Sequence, residues 1–158
     1  MIDMIEFRKG TFMDINELVR MRLAYIADDR GEIDKNVMKQ IQDSLPECFE
    51  KHLNKDLFAY ITCDNNRIIS TVLLYITEKP ANLNNIHSKM GEVLNVFTDS
   101  EYRRQGIAEK LMKMMLQDAK EMKLSAVKLE ATDMGKDLYL KIGFKTTTSR
   151  YIPMRYEL

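Results

Sequence analysis

The chain has 158 residues, of which 45% are hydrophobic, so it is long and apolar enough to form one domain around a single core. Its 24 basic side chains are balanced by 24 acidic ones, which gives a formal net charge of zero at pH 7. This balance argues against general attraction to nucleic acids or anionic membranes, so any site for an anion has to be local. No repeat or linker-like segment divides the chain, and we predict a single domain over residues 1–158.

Neither export nor membrane insertion is indicated by the sequence. Asp3 lies early in the N-terminal segment, which lacks the apolar stretch of a signal peptide. The longest clearly apolar run, residues 72–76, is far shorter than the roughly 20 residues that span a bilayer. Cys48 and Cys63 form no CxxC pair and lie in no Cys/His cluster with metal spacing. We therefore predict a cytoplasmic protein with two free, small, buried thiols and no metal site.

The first part of the chain is predicted to form a strand followed by helices. Residues 4–8 favour a strand, and the Thr-x-x-Asp segment at 11–14 is typical of a capping box at the start of a helix. Apolar residues then recur with helical spacing until a polar loop at residues 28–32. Helical spacing resumes after this loop, and the Ser-Leu-Pro segment at 44–46 predicts that a further short helix begins there.

The remainder of the chain alternates strand-like and helix-like segments. A turn sequence, Asp-Asn-Asn, joins two strands of a hairpin, and the region 78–90 has the composition of a loop. Strands are predicted at 57–63, 67–77, 92–98, 126–131, 145–148 and 151–156. A short helix is predicted at 133–142, and the long helix before it has a core face that carries Ile107, Leu111, Met114, Met115 and Met122. This order predicts an α/β fold with about seven strands in a mixed central sheet and about four helices, the long helix crossing between two parallel strands.

The segment between the strand at 92–98 and the long helix has the features of a phosphate site. A helix start leaves its first backbone N–H groups unpaired and carries a partial positive charge, so it attracts anions. Gly106 would let an anion approach the backbone closely, and Arg103 and Arg104 can add charge and donors. Taken alone, the same residues could equally form a solvated loop and an ordinary turn.

Two motifs together resemble the GNAT N-acetyltransferase superfamily. Its nucleotide-binding motif, a strand and then Q/R-x-x-G-x-G/A at a helix start, is matched by Arg103, Gly106 and Ala108. Its second motif, a short helix reading roughly L-Y-x-x-x-G-F, is matched by Leu138, Tyr139, Gly143 and Phe144. The resemblance implies a sheet splayed between its fourth and fifth strands, with acetyl-CoA as cosubstrate and no metal.

The resemblance also implies a set of site residues. The open edge of the strand would pair with the pantetheine arm, and the backbone N–H groups of the following helix start would bind the pyrophosphate. The matching positions are Val96, Phe97, Thr98, Arg103, Arg104, Gln105, Gly106, Ile107, Ala108 and Thr132. Three positions depart from the family pattern: Ser100 stands where proline is frequent, Thr132 where asparagine is frequent and Gly135 where alanine is frequent.

The expected reaction is direct transfer of the acetyl group to a primary amine in a ternary complex. An amine with a pKa of about 10.4 is mostly protonated at pH 7, so a base has to accept its proton. Glu92 is the first candidate for this base, although it could also be an ordinary charge at a strand end. Tyr139 is expected to donate a hydrogen bond or a proton to the departing thiolate, the alternative being a core aromatic residue.

The acceptor is less clearly indicated, and we expect a small-molecule or peptide amine rather than nucleic acid or a membrane. Four acids between the first two helices could favour a cationic acceptor or could simply be solvated: Asp28, Asp29, Glu32 and Asp34. The competing interpretation of the whole chain is a non-catalytic acyl-CoA-binding sensor or regulatory module. A homodimer is possible.

Overall fold

One mixed sheet with helices on both faces organises residues 5–158, the part of the chain that the computed structural model describes. The strands are β1 (Ile5–Lys9), β2 (Leu57–Asp64), β3 (Arg67–Glu78), β4 (Lys89–Thr98) and β5 (Val127–Lys128). The helices are α1 (Ile15–Arg30), α2 (Lys35–His52), α3 (Ile107–Glu121) and α4 (Lys136–Ile142). The sheet order is β1-β2-β3-β4-β5, antiparallel throughout except for the parallel pair β4–β5, which α3 connects.

The predicted capping box lies between β1 and α1. The Thr11 hydroxyl accepts a hydrogen bond from the Met13 N–H (3.3 Å), and the Thr11 N–H donates to the Asp14 carboxylate (2.8 Å), so both halves of the box are formed. It caps a short 3-10 turn that runs directly into α1. Arg8 on β1 donates two further hydrogen bonds to Asp14, at 2.8 and 2.9 Å, which ties the turn to the sheet. The first predicted strand is confirmed over Ile5–Arg8, and its Met4 lies outside the described residues.

The first half of α1 is attached to β3 through polar side chains. Glu17 accepts a hydrogen bond from the Ile68 N–H (3.1 Å), and Arg20 donates to the Ile68 carbonyl (2.6 Å). Arg20 also donates to Glu17 (2.7 Å), so the two side chains bind both backbone groups of one strand residue and each other. This attachment fixes the N-terminal half of α1 against the sheet next to the register shift in the β2–β3 pair.

Helix α2 corrects one prediction, because no new helix begins at residues 44–46. The helix runs unbroken through Pro46, and the Ser44 hydroxyl donates to the Ile41 carbonyl (2.7 Å) instead of capping a helix start. A proline inside a helix removes one backbone hydrogen bond. The packing of the following turn, where Phe49 is buried, offsets this loss.

The core is divided by the sheet into two layers. On one face α1 and α2 cover β2 and β3, and on the other face α3 covers the middle strands. Leu111, Met112 and Met115 of α3 are fully buried, so Met112 rather than the predicted Met114 lies at the centre of this layer. Met114 is half-buried beside it, because the helix turns this position toward the edge of the contact.

The end of the chain differs from the prediction of two terminal strands. Strand β5 contains only two residues, and within the described chain no strand is formed after it, so the sheet has five strands and not about seven. All residues from 145 to 158 are exposed, and no backbone-to-backbone hydrogen bond joins them to residues 5–144. An alternating sequence favours an extended conformation, but a strand also needs backbone pairing, and within residues 5–158 this segment is not paired with the sheet.

The remaining predictions concern the burial of the two cysteines, membrane-spanning helices and metal ligands. Cys63 is buried as predicted, whereas Cys48 on the outer face of α2 is exposed, so the prediction for Cys48 is wrong. None of the helices within residues 5–158 combines the length and apolar character needed to cross a membrane. No three His, Cys, Asp or Glu side chains in the same range are grouped as metal ligands.

Candidate functional site

A cleft of about 780 Å³ opens where β4 and β5 separate. The two strands pair only through Gly91 with Val127 and Glu92 with Lys128, so the edge of β4 that faces β5 is unpaired beyond Glu92. The C-terminal half of α1, the start of α3 and the start of α4 form the other walls. This volume lies in the range of sites that bind a cofactor-sized molecule.

A bulge in β4 shapes the floor of the cleft. Asn95 has a left-handed backbone (φ +55°) and a side chain that is almost fully buried, with 4% of the residue exposed. Its Nδ2 donates to the Thr71 hydroxyl (2.9 Å), which in turn donates to the Asn95 carbonyl (3.0 Å). Arg22 of α1 donates to Asn95 Oδ1 (3.4 Å). These hydrogen bonds hold the bulge in place, and the bulge changes the direction of β4 just before Val96.

The start of α3 presents free backbone donors to the cleft. Gly106 is the N-cap residue, and no side chain caps the helix. The first intrahelical bond runs from Lys110 N–H to the Gly106 carbonyl (3.1 Å), which leaves the N–H groups of the first turn without helical acceptors. Gly106 has φ +80°, a conformation that disfavours other residues, while a Cβ there would meet no protein atom within 4 Å. Ile107 and Ala108 also line the cleft.

The Arg103 side chain lines the cleft but makes its contacts with other residues of the protein. Its Nε donates to the Thr98 carbonyl (2.7 Å), its guanidinium lies over the Phe97 ring (5.4 Å to the ring centre), and its Nη2 is 3.6 Å from Asp28. Arg103 therefore connects the end of β4 to α1. Arg104, which is exposed and has φ +62°, lines the cleft without such contacts in the described chain.

Gln105 is the one predicted site residue that does not line the cleft. Its Nε2 donates to the Glu101 carbonyl (3.4 Å), within the loop that precedes α3. The other predicted positions lie together around the cleft: Glu92, Val96, Phe97, Thr98, Arg103, Arg104, Gly106, Ile107, Ala108, Thr132 and Tyr139.

Tyr139 lies on α4 at the opposite wall. Burial and the neighbouring Tyr25 raise the pKa of Tyr139, so its hydroxyl keeps its proton well above neutral pH and can donate a hydrogen bond. The Tyr139 ring packs edge-on against Phe144 at 6.0 Å between ring centres. At Gly135 a Cβ would lie only 3.0 Å from Tyr139 Cε2, so the glycine that departs from the family pattern leaves room for this ring.

Thr132 begins the turn that leads into α4. Its hydroxyl accepts a hydrogen bond from the Gly135 N–H (3.1 Å), and the Thr132 carbonyl accepts another from the same N–H (3.1 Å). A threonine in place of the frequent asparagine therefore still orders the turn. This turn directly precedes α4, the helix that carries Tyr139.

Glu92 is the carboxylate that β4 places in the cleft. It is half-buried and lies between its register partners Tyr75 on β3 and Lys128 on β5. The two histidines lie elsewhere: His52 bonds to Asp56 (2.8 Å) at the end of α2, and His87 is exposed in the loop before β4. Glu92 is thus the half-buried carboxylate that β4 contributes to the cleft.

The C-terminal half of α1 adds two cleft residues that the sequence analysis did not name, Arg22 and Tyr25. Arg22 and Tyr25 line the cleft together with Asp28 and Asp29. The spacing of positions 22, 25 and 29 places them on one helical face, in line with the buried Ile15 and Leu18. A helix face that changes from apolar to polar and aromatic along its length is the signal that could have found them. Asp34, by contrast, caps α2 by accepting from the Asn36 and Val37 N–H groups, at 2.8 and 3.2 Å.

The separated parallel strands with an uncapped helix start between them define the GNAT-like α/β fold. Residues 27–157 match the family model for the acetyltransferase (GNAT) domain, and the chain belongs to this family. The resemblance noted in the two sequence motifs is therefore confirmed.

Solved structures agree with this assignment. A predicted acetyltransferase from Clostridium acetobutylicum, crystallised with acetyl-CoA, is 27% identical, with a TM-score of 0.83 and 96% of each chain covered. A GCN5-related N-acetyltransferase from Ralstonia eutropha JMP134 is 24% identical, with a TM-score of 0.80 over 95% of this chain and 98% of that one, and it shows the same fold. No curated protein matches the chain closely enough to extend the comparison.

Proposed function

We propose that this protein is an acetyl-CoA-dependent N-acetyltransferase that acts on a primary amine of a small molecule or peptide through a ternary complex. The observation that carries the proposal is the meeting, in one cleft, of the unpaired edge of β4, the uncapped start of α3 and the Tyr139 hydroxyl. We further propose that residues 1–158 act as a single acetyltransferase domain, since one sheet and its two core layers organise the described part.

Binding of the acyl donor is supported by two features of the backbone. The first turn of α3 offers N–H groups and the positive end of a fifteen-residue helix, which suit a pyrophosphate. Arg104 beside it adds a positive charge that no described ion pair neutralises. The unpaired edge of β4, around Val96, offers strand-type hydrogen bonds to the amide groups of the pantetheine arm.

Transfer requires a neutral amine, a stabilised oxyanion and a protonated leaving group. Glu92 is our candidate for accepting the amine proton, directly or through water. A backbone N–H of the bulged strand near Phe97 would stabilise the oxyanion, because the bulge re-aims the groups of β4. Tyr139 would donate a hydrogen bond to the thiolate as charge develops, since its raised pKa keeps the hydroxyl protonated.

The acceptor would enter along the C-terminal half of α1. Asp28 and Asp29 line that side of the cleft, and their side chains are 57% and 36% exposed, so they remain available to an incoming ammonium group. Asp28 lies 3.6 Å from Arg103 Nη2 and Asp29 lies 3.4 Å from Arg30 Nε, so an incoming ammonium group would share or replace these two surface ion pairs. We therefore propose a cationic amine as the acceptor class.

The donor site is tested with two substitutions at one position, Gly106→Asp and Gly106→Asn. Both residues tolerate a left-handed backbone and can cap a helix, so they differ mainly by one negative charge at the proposed pyrophosphate site. In a thermal-shift titration acetyl-CoA and CoA, but not ATP, should stabilise the wild type, by about 2.7 kcal/mol at a hundred times Kd. Gly106→Asp should weaken binding at least about tenfold more than Gly106→Asn, because it repels the anion.

Turnover distinguishes the enzyme from a binding module. Wild-type protein is incubated with acetyl-CoA and a panel of primary amines, and free thiol is measured against time. Thiol release that depends on one amine class supports the transferase. Tight CoA binding with no turnover on any amine would instead favour the non-catalytic acyl-CoA-binding sensor, and absence of CoA binding at millimolar concentration would refute both.

A further inference from the structure

Three arginines lie on α1, and two of them are paired with acids of the same helix. Arg20 donates to Glu17 at 2.7 Å, and Arg30 Nε lies 3.4 Å from the neighbouring aspartate. Arg22, by contrast, forms no ion pair with any carboxylate of residues 5–158. Within this part of the chain, the positive charge of Arg22 is therefore not balanced by an acid.

The Arg22 side chain is half-buried and lines the cleft. Its guanidinium lies over the Tyr25 ring, 5.9 Å from the ring centre, and its Nη1 donates to Asn95 Oδ1 at 3.4 Å, which is long for a hydrogen bond. A guanidinium has several N–H donors in one planar fork, and this is the one hydrogen bond that Arg22 donates within residues 5–158. Because half-buried donors without a partner cost free energy, they favour an anion that enters the cleft at this point.

The part of β4 that Arg22 contacts is the part where transfer is proposed to occur. Asn95 lies two residues before Phe97, near which the proposed oxyanion site is located. Glu92 shares a face of β4 with Leu94, because side chains two residues apart lie on the same side of a strand, and Leu94 packs in the core layer under α1. Glu92 and Arg22 therefore lie on the same side of the sheet, separated by about three residues of strand, or roughly 10 Å.

The anion expected at Arg22 is a group of the acceptor and not of the acyl donor. The proposed pyrophosphate site is the start of α3, which follows the end of β4 at Thr98, whereas Arg22 contacts the strand at Asn95. A single guanidinium balances one negative charge and matches the planar geometry of two carboxylate oxygens. A carboxylate therefore fits this position better than a doubly charged phosphate.

We infer that Arg22 binds a carboxylate of the acceptor, and that the acceptor is a diamino acid. The inference rests on the proposed function and narrows its acceptor class. The carboxylate would contact Arg22, one amine would react beside Glu92, and the other, as an ammonium group, would lie toward Asp29, roughly 10 Å further along α1. The amine nitrogen bonds to the acetyl carbon as the carbon–sulfur bond breaks, and the proton that the amine loses is matched by the proton that the CoA thiolate gains.

Pairs of amines that differ only in the carboxylate give the first test. Lysine, ornithine and 2,4-diaminobutyrate are compared with cadaverine, putrescine and 1,3-diaminopropane at saturating acetyl-CoA, and free thiol is measured against time. In the wild type, kcat/KM for at least one diamino acid should exceed that for its diamine by about tenfold or more, because the carboxylate adds a charge-assisted contact. A diamine that is used as well as its diamino acid in every pair would overturn the inference.

Variants of Arg22 test whether the guanidinium causes this preference. Arg22→Gln should lower kcat/KM for the diamino acid about tenfold, mainly by raising its KM, while KM for acetyl-CoA and kcat/KM for the diamine should not worsen. Arg22→Lys keeps the charge and should restore part of the loss. Arg30→Gln is the matched control on the same helix and should leave the ratio between the two amines unchanged. Thermal unfolding checks that each variant is folded, and an equal loss for both amines in Arg22→Gln would show a structural role through Asn95, contrary to the inference.

The same assay distinguishes failure of the inference from failure of the proposed function. Transfer to diamines without any preference for the carboxylate would remove the inference and leave the transferase standing. Binding of CoA without transfer to any amine would remove the proposed function, and this inference with it.

Discussion

Two buried threonines on adjacent strands should respond in opposite ways to the same substitution. Thr71 on β3 has 1% of its surface exposed, and Thr62 on β2 is fully buried. The Thr71 hydroxyl donates to the Asn95 carbonyl and accepts from the Asn95 side chain. The Thr62 hydroxyl has no hydrogen-bond partner among the described residues. Replacement of threonine by valine keeps the shape and removes only the hydroxyl.

The change in the free energy of unfolding depends on which buried groups lose their hydrogen-bond partner when each hydroxyl is removed. Thr71→Val removes two buried hydrogen bonds and leaves the Asn95 amide without its partner, at a cost of about 1–3 kcal/mol for each group so stranded. Relaxation of the bulge lowers the total to about 2–4 kcal/mol. Thr62→Val removes a buried hydroxyl that is already unpaired, so the free energy of unfolding should stay the same or rise by about 1 kcal/mol.

Urea unfolding followed by circular dichroism measures both variants against the wild type. With a slope of about 1–3 kcal/mol/M for a small domain, the two midpoints should differ by about 1 M or more. Thr71→Val should also lower acetyl transfer, because the bulge that it fixes aims the β4 backbone into the cleft, whereas Thr62→Val should leave transfer unchanged. Equal destabilisation by the two substitutions would refute the reasoning.

Three further predictions concern the cleft and the first turn. Tyr139→Phe should lower kcat by about a hundredfold with unchanged CoA binding, measured by initial rates and titration, if its hydroxyl acts on the leaving group. Asp28→Asn combined with Asp29→Asn should raise KM for a cationic amine and leave KM for acetyl-CoA unchanged. The hydrogen bonds from Arg8 lower the pKa of Asp14 below its ordinary 3.8, so this stabilisation is present above pH 3.8 and is lost as the pH falls through the lowered value. Asp14→Asn should therefore cost about 1 kcal/mol at pH 7 and less at pH 2, by urea unfolding at both pH values.

The element types in the middle of the chain could be predicted because local signals decided them. The turn after β2 has left-handed backbones at Asn65 and Asn66, φ +49° and +68°, which asparagine tolerates, so the hairpin could be placed from the residue types. The Gly143 stop after α4, with φ +111°, was equally local. Such features depend on neighbouring residues and need no knowledge of the fold.

The errors arose where a distant partner decides the structure. The segment 44–46 carries a start signal, but tertiary packing keeps α2 continuous through Pro46. The pattern of residues 151–156 favours an extended strand, yet strand pairing depends on a partner edge that the pattern does not name. In both places the local pattern predicted a feature that the described chain does not form, because long-range contacts that the sequence does not show decide the structure there.

The parts of the candidate site that backbone groups form could be predicted from the sequence, and the parts that depend on side-chain contacts could not. The start of α3 at Gly106 could be inferred from residue order alone, since a helix start binds anions wherever it occurs. The bonding of Arg103 to the Thr98 carbonyl and the fixation of the bulge by Asn95 involve geometry that spacing does not encode. A motif therefore locates the proposed donor site, while the proposed acceptor side depends on the packing of α1.

The attachment of α1 to β3 has a mechanical consequence for the cleft. Glu17 and Arg20 bind the backbone of Ile68, so the N-terminal half of the helix moves with the sheet. The last four residues of α1, including Asp28 and Asp29, are exposed, and the helix ends at Gly31, whose φ of +71° terminates it. Widening of the cleft would thus occur by bending or fraying of this end, with opening of the surface ion pair between Asp28 and Arg103, and not by translation of the whole helix. Amide hydrogen exchange should be slow around position 20 and fast around position 30, so the compliant part of this wall is the part that the proposed acceptor would meet.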